Sequence, residues 1–333
     1  MEEIVMVTAF SARIDSYRIA LFICLGLFIP TALAEPYPNK PVRIIVSVMP
    51  GDTCDVIVRQ VAFKIGERLK QQFVVDNRSG ASGAIGHALV AQSSPDGYTL
   101  GCGNGGSMSI LPHVLKNTPY NTLKDFSAIA LMATNYMALA VSMNLPPKNV
   151  SELISFAKQS PGHVSFGSNG EGAFLHFATE LFRSQAGFTY LHVPFKGFPQ
   201  LAGELVSGRL DATFGSFPTL HPYVLSKRIR LLGIGRLKRI ANYPDYPTIA
   251  ETLPGFASGG WFGLIGPAGL PKNIVTVLNR EANHALSQPD IHDRLIATGL
   301  DVSNETADYF TQYNRSEFEK YGKIAKEIGL AAQ

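Results

Sequence analysis

The sequence predicts an α/β fold, with helices layered on sheets whose strands run largely parallel. Two observations carry that prediction. Strand-like and helix-like runs alternate along nearly all of the chain after residue 40, the pattern of repeated βα units. Several helical runs also carry their own boundaries. Asn149 followed by Glu152 is a capping box, Pro161-Gly162 closes that helix, and Pro271 stands where a first-turn proline is tolerated.

The elements follow in order. Val42-Arg43-Ile44-Ile45-Val46-Ser47-Val48 reads as a buried strand that runs into a tight Pro50-Gly51 turn. Val56, Val58, Val61, Ala62, Ile65 and Leu69 then recur at helical spacing, which predicts a helix over 55–70. Further strands are expected at 73–76, 98–102, 128–132, 137–143, 163–167, 190–194, 210–214, 230–235 and 261–265. Further helices are expected at 82–92, 108–115, 150–159, 173–186, 198–207, 217–226, 271–287, 290–298 and 307–328. Ser94-Pro95-Asp96-Gly97 is a strong turn signal before Tyr98. There is no internal repeat or low-complexity segment. After Leu253-Pro254-Gly255, the run Trp261-Phe262-Gly263-Leu264 and three terminal helices suggest that the chain returns to its first lobe, leaving a two-strand hinge and a cleft.

Residues 1–34 read as a signal peptide. Arg13 and Arg18 supply the positive region, and 19–28 form an apolar core short for a membrane span. Ala32-Leu33-Ala34 offers small residues for cleavage after Ala34. Glu2 and Glu3 are out of place in such a leader and point to Met6 or a later start. A membrane anchor fits less well, because polar sequence begins at once after Ala34, and Cys24 lacks a lipoprotein context. Periplasmic export is the expectation. The 299 residues that remain suffice for two domains, with a net charge of +4 instead of +3. That charge is scattered, with no basic run or basic-aromatic stripe, which argues against nucleic acid. Cys54 and Cys102 show no zinc spacing, and no metal is expected.

The first strand-turn-helix is also a candidate site. A strand that turns directly into a helix aims unpaired N–H groups and the positive end of the helix dipole at one point, which suits an anion. An ordinary βα loop is the alternative.

A long series of short motifs resembles one family. The series begins with Tyr37-Pro38, Pro41-Val42-Arg43-Ile44-Ile45-Val46, Pro50-Gly51 and Asp55, then Asn77-Arg78-Ser79-Gly80-Ala81 and Pro95-Asp96-Gly97-Tyr98-Thr99-Leu100. It continues through Gly167-Ser168, Gly170, Gly172 and His176 to His192-Val193-Pro194-Phe195-Lys196-Gly197. Pro247-Thr248, Trp261-Phe262-Gly263-Leu264 and Pro267-Ala268-Gly269 close it. Together these are similar to the substrate-binding proteins of tripartite tricarboxylate transporters, the Bug family. The resemblance spans the whole mature chain. It implies a type II-like periplasmic binding protein with two Rossmann-like lobes, 35–136 plus 257–333 and 137–256. It implies no catalysis and no cofactor. It implies a monomer that captures a small organic solute, often a carboxylate, by lobe closure and delivers it to membrane permease subunits.

The resemblance places the ligand between two loops. The first contributes Pro50, Gly51, Asp52, Thr53, Cys54 and Asp55. The second contributes Ser168, Asn169, Gly170, Glu171 and Ala173. Both precede helices and contain glycine, so the backbone can approach a ligand. Ser168, Thr53 and Ser107 can each offer a hydroxyl, with helix capping as the alternative use of Ser168 and Thr53. His176 reads as a packed histidine. Phe195 and Lys196 join the candidates, Lys196 either as a cation for a carboxylate or as a solvated turn residue, and Ser216 closes the set. In the implied fold Cys54 and Cys102 are neighbours at the cleft, so the pair could form one disulfide.

Departures from the family bear on the ligand. Asp52 stands where the family usually has a second glycine, Ala173 where it has a hydroxyl residue. Asp52 and Glu171 put two carboxylates beside loops built for an anion, and like charges about 5 Å apart repel appreciably. A zwitterionic, amine-bearing or neutral aromatic solute therefore fits better than a plain di- or tricarboxylate, unless both side chains turn to solvent. Other functions have less support. No histidine sits in a hydrolase or metalloprotease frame, and Gly101-Cys102-Gly103-Asn104-Gly105-Gly106 lacks the spacing of a nucleotide fingerprint. An exported ligand sensor feeding a signalling partner would use the same lobes.

Overall fold

The computed structural model describes residues 37–240 and 242–332, so the expected leader and its cleavage point after Ala34 lie outside the described residues. Beyond them, the apolar run after Pro41 forms β1 (Val42–Val46), buried at every position but Arg43. The Pro50-Gly51 turn, with Gly51 at φ +85°, leads into α1 (Thr53–Leu69). The buried face of α1 is Ile57, Val58, Val61, Ala62 and Ile65. Of the stripe read in the sequence, Val58, Val61, Ala62 and Ile65 lie on it, Leu69 is half-buried, and Val56 is exposed, its place taken by Ile57.

β2 (Phe73–Asn77), α2 (Ala84–Ala91) and β3 (Thr99–Asn104) follow. Next come a π-helical turn (Gly106–Ile110), the short α3 (Leu111–Val114) and the long β4 (Phe126–Ser142). The middle of the chain alternates α4 (Val150–Gln159), β5 (Ser165–Ser168), α5 (Phe174–Ala186), β6 (Leu191–Pro194), α6 (Phe198–Ser207), β7 (Ala212–Ser216), α7 (Phe217–Leu225) and β8 (Ile229–Ile234). The chain then returns through β9 (Gly259–Pro267), α8 (Lys272–Leu286), α9 (Pro289–Ala297), β10 (Asp301–Val302) and α10 (Ala307–Glu327).

The strand order is β2-β1-β3-β9-β4-β7-β5-β6, with β8 and β10 also paired to β4. The expectation of largely parallel strands is corrected here. β1 pairs in parallel with β2 and β3, and β5 with β6 and β7, but every pairing of β4 and β9 is antiparallel. The reason lies in the chain path. Parallel neighbours are made by βα crossovers, whereas β4 and β9 carry the chain out of and back into the first group of strands.

A second correction concerns 128–132 and 137–143, expected as two strands and found as one. β4 changes partners along its length: Phe126 to Tyr136 pair with β9, and Met137 onward with β7 and β8. The two crossing segments touch at that change, where Met137 N–H donates to the Ser258 carbonyl at 2.9 Å. Hydrophobic packing follows the same division. The largest core cluster runs from Tyr136 to Phe256 and includes the fully buried rings of Phe166, Phe182, Phe214 and Phe256. Each such ring contributes about 1.5–3 kcal/mol of burial. Trp261 and Phe310, packed edge to face at 5.3 Å, centre a separate cluster with Met108, Leu131 and Ile265.

Candidate functional site

The parallel strands β1, β3, β5 and β7 end in polar residues or glycine-rich turns, and those ends are where ligands gather in open α/β sheets. Ser47 follows β1, Asn104 closes β3, Ser168 closes β5 and Ser216 closes β7.

At the first strand end, Asp52 is the N-cap of α1, its carboxylate accepting from Cys54 N–H at 3.2 Å. Its side chain is reached by solvent, yet enough protein surrounds it for desolvation to raise its pKa, against hydrogen bonds from the Cys54 and Thr53 N–H groups. Asp55 has a different task. It is buried, and its carboxylate accepts from Gly51 N–H at 2.9 Å, Arg59 Nε at 3.0 Å and Asn77 Nδ2 at 2.9 Å. Burial alone would raise its pKa, but these donors bring it below the usual carboxylate range. Asn77 Nδ2 also reaches the Val48 carbonyl at 3.1 Å, so Asp55, Arg59 and Asn77 together hold the 48–51 turn. Asp55 thus positions the loop, with its oxygens already committed to protein donors. Cys54 is fully buried and joined to Cys102 in a disulfide with 6.6 Å between Cα atoms. That bond ties the first turn of α1 to β3 and leaves Cys54 no thiol to offer.

Beside this loop, Asn104 holds two segments at once. Its amide approaches Ser47 Oγ at 3.4 Å, and its carbonyl accepts from Ser107 N–H at 3.0 Å. The π-helical turn is fixed from below. Tyr120 donates to the Ser107 carbonyl at 2.5 Å, Thr122 to the Met108 carbonyl at 2.7 Å, and Trp261 Nε1 to Ser109 Oγ at 3.0 Å. Ser107 Oγ is buried and has no partner. Gly83, at φ +94°, passes between the two serines, since a Cβ there would sit 3.2 Å from Ser47 Oγ and 3.3 Å from Ser107 Oγ. The Gly83 carbonyl is held by His87 Nδ1 at 2.9 Å.

The second loop is organised by two histidines. The rings of His176, on α5, and His192, on β6, stack at 3.9 Å with 3° between planes. Gly172 N–H donates to His176 Nδ1 at 2.9 Å, which puts the hydrogen of that ring on Nε2, 4.0 Å from Glu180. Ser168 Oγ lies 2.6 Å from His192 Nε2, accepts from Gly170 N–H at 3.1 Å and sits 3.0 Å from the Gly170 carbonyl. Burial lowers the pKa of both histidines, and for His176 the neighbouring His192 adds to the effect. Ser168 is therefore spent on shaping its own loop. Gly170 at φ +123° and Gly172 at φ +68° supply backbone angles that other residues resist. The loop ends at Ala173, whose methyl cannot cap α5, so no side chain accepts from the first turn of that helix.

The two groups meet around Phe174. A Cβ on Gly106 would lie 4.0 Å from Phe174 Cβ, and one on Gly260 would lie 3.5 Å from its ring and 2.8 Å from Asn135 Oδ1. Asn135 accepts from Gly260 N–H at 2.8 Å, and its amide approaches Ser216 Oγ at 3.4 Å. The Phe174 ring also stands edge-on to Tyr321 at 6.3 Å. Of the other expected residues, Pro50, Asn169, Glu171 and Lys196 are exposed, and Thr53 is half-buried. Phe195 packs against the core cluster and donates its N–H to the Ser168 carbonyl at 2.8 Å. Sequence reasoning passed over Ser47, Asn104, Asn135, Phe174 and His192. Asn104 carried a signal, as the one polar side chain in a glycine-rich strand end. Among the described residues no three His, Cys, Asp or Glu side chains group to hold a metal, and no helix is long and apolar enough to cross a membrane.

Comparison with known proteins matches residues 57–330 to the family described as "Tripartite tricarboxylate transporter family receptor". The chain belongs to this family. Among its relatives is the "UPF0065 protein in tcbD-tcbE intergenic region" of Pseudomonas sp. strain P51, 33% identical over 96% of this chain and 97% of the relative. Protein BugT of Bordetella pertussis is 30% identical over 93% of this chain and 97% of its own length. Among solved structures, Rpa4515 of R. palustris with adipate aligns with a TM-score of 0.81 at 31% identity, covering 89% of this chain and 99% of that one. MatC of Rhodopseudomonas palustris with bound malate aligns at 0.77 and 27% identity, covering 86% and 99%. This tripartite tricarboxylate transporter receptor therefore has the fold of periplasmic solute-binding proteins, and solute binding is the role its family supports.

Proposed function

We propose that the protein captures a small carboxylate-bearing solute between two lobes and presents it to the permease subunits of a tripartite transporter. The lobes are 35–136 plus 257–333 and 137–256, joined where β4 changes partners and the chain returns to β9. The leader is removed after Ala34, and the mature receptor works in the periplasm as a monomer without catalysis. The observation that carries this reading is the first turn of α5. Its N–H groups and dipole are offered by an uncapped, glycine-rich loop beside the strand ends. The adipate and malate carried by two structural neighbours are both carboxylates, in keeping with such a seat.

Binding then proceeds by closure. A solute whose carboxylate rests on α5 and whose other end reaches Ser47, Ser107 or Asp52 makes contacts in both lobes only when they are together. Those contacts bias the equilibrium to the closed form. Calorimetric titration of the mature protein with a panel of mono- and dicarboxylates tests this, alongside small-angle scattering. The expected result is saturable one-to-one binding of at least one carboxylate, with a smaller radius of gyration in its presence. Binding confined to solutes without a carboxylate would overturn the reading.

A further inference from the structure

The two helix N-termini that frame the strand ends each have a carboxylate in their loop, Asp52 before α1 and the exposed Glu171 before α5, but they differ in capping. α5 begins uncapped, on Ala173, while α1 begins on a carboxylate of its own. Asp52 occupies Cys54 N–H at 3.2 Å, and Asp55 occupies Gly51 N–H at 2.9 Å. An anion arriving at α1 would meet donors already in use and a negative charge in its way. The nearby carboxylates also differ in their partners. Asp55 pairs with Arg59, and Asp76 with Arg43 and Arg78. Asp52 takes part in none of the ion pairs among the described residues, although solvent reaches it. Desolvation raises its pKa, with no cation acting in the opposite sense. Next to this loop lies the buried, unpartnered Ser107 hydroxyl, a polar atom that waits for a partner.

From this asymmetry we infer that Asp52 is a specificity residue that selects solutes carrying a cationic nitrogen at the end remote from their carboxylate. The inference rests on the carboxylate seat proposed for α5 and adds the sign of charge at the opposite end. The carboxylate of an ω-amino acid would sit at α5, and its ammonium group would meet Asp52. A dicarboxylate of equal length would put its second charge against Asp52 without a basic side chain to offset it. The disulfide supports this geometry, because it anchors the residue that Asp52 caps to β3 and keeps the carboxylate from swinging away with a loose helix end.

The test is a titration of matched pairs, ω-amino acids against the corresponding α,ω-dicarboxylates of four to eight carbons, on wild type and Asp52→Asn. Asparagine keeps an oxygen to cap Cys54 N–H while removing the charge, so α1 stays intact. Wild type is expected to favour the amino acid of the best-fitting pair. Asp52→Asn should shift that preference toward the dicarboxylate by about tenfold or more, the scale of losing one partly desolvated ion pair. Carboxylate binding with the same preference in both proteins would overturn the selector role and leave the α5 seat standing. Failure of every carboxylate in the panel to bind either protein would overturn both.

Discussion

His87 gives the sharpest stability prediction, because its surroundings fix its charge state. The ring is almost fully buried between Gly83, Tyr120 and Phe126, with ring centroids at 5.6 and 6.1 Å. A carbonyl can only accept, so the 2.9 Å contact with the Gly83 oxygen puts the hydrogen on Nδ1. Nε2 is left as a bare buried lone pair without a partner. Protonating it would place a charge in an apolar pocket, and burial pushes the pKa down from 6.5 to about 4, against the favourable bond to Gly83. Between those values the unfolded chain binds a proton that the native state refuses, so stability falls as pH falls. The full loss is about 3 kcal/mol by pH 4, with roughly 1.4 kcal/mol already gone at pH 5.5. Urea unfolding of wild type and His87→Gln at a series of pH values measures this. The variant should be less stable near neutrality but should lose less stability on acidification, by about the amounts given. Parallel pH profiles for the two proteins would refute the argument.

Three other outcomes follow from the same geometry. Replacing Cys54 and Cys102 by serine opens a loop spanning 48 residues and should cost about 4 kcal/mol on the chain-entropy estimate, read by thermal unfolding; unchanged stability would deny the bond. Gly170→Ala places a Cβ in open space, so its cost is the positive φ alone, about 1–3 kcal/mol, and should appear as weaker carboxylate binding by a folded protein in calorimetry. Protonation of His176 would turn the acceptor of Gly172 N–H into a donor. Its lowered pKa means that the neutral form holds the loop at neutral pH, and that solute affinity should fall on acidification below the usual histidine range. The measurement is affinity against pH, compared with His176→Asn, whose profile should be flatter.

Most helices were legible because their apolar periodicity and caps are local. The 150–159 and 198–207 helices were read at the residues where they form, and the others within about two residues except 108–115, where Gly106–Ile110 is a π-helical turn and only Leu111–Val114 is α-helical. Strand direction was not legible, because it depends on where the chain goes between strands. The break expected within 126–142 spans Thr134 and Asn135, polar residues in a mostly apolar run. In the structure those residues lie where the strand passes from one set of partners to the other. β10, two residues long, has too little pattern to see.

The candidate site was legible in outline only. Pro50-Gly51 and the glycines around Gly170 announce turns that open helices. The tasks of Asp55 and Ser168 were hidden, because Asp55, on α1, is claimed by Asn77 at the end of β2, and Ser168 by His192 across the parallel pairing of β5 with β6. The same pairing of β5 with β6 helps bring His192 against His176, a contact that no local spacing encodes.

The most direct test of the central claim is a crystal structure of the mature protein with its tightest-binding carboxylate. The account predicts the carboxylate oxygens within hydrogen-bonding distance of the N–H groups of Phe174 and Leu175, with the solute's remote end toward Asp52. A carboxylate seated instead at the start of α1, or away from both helix ends, would contradict it.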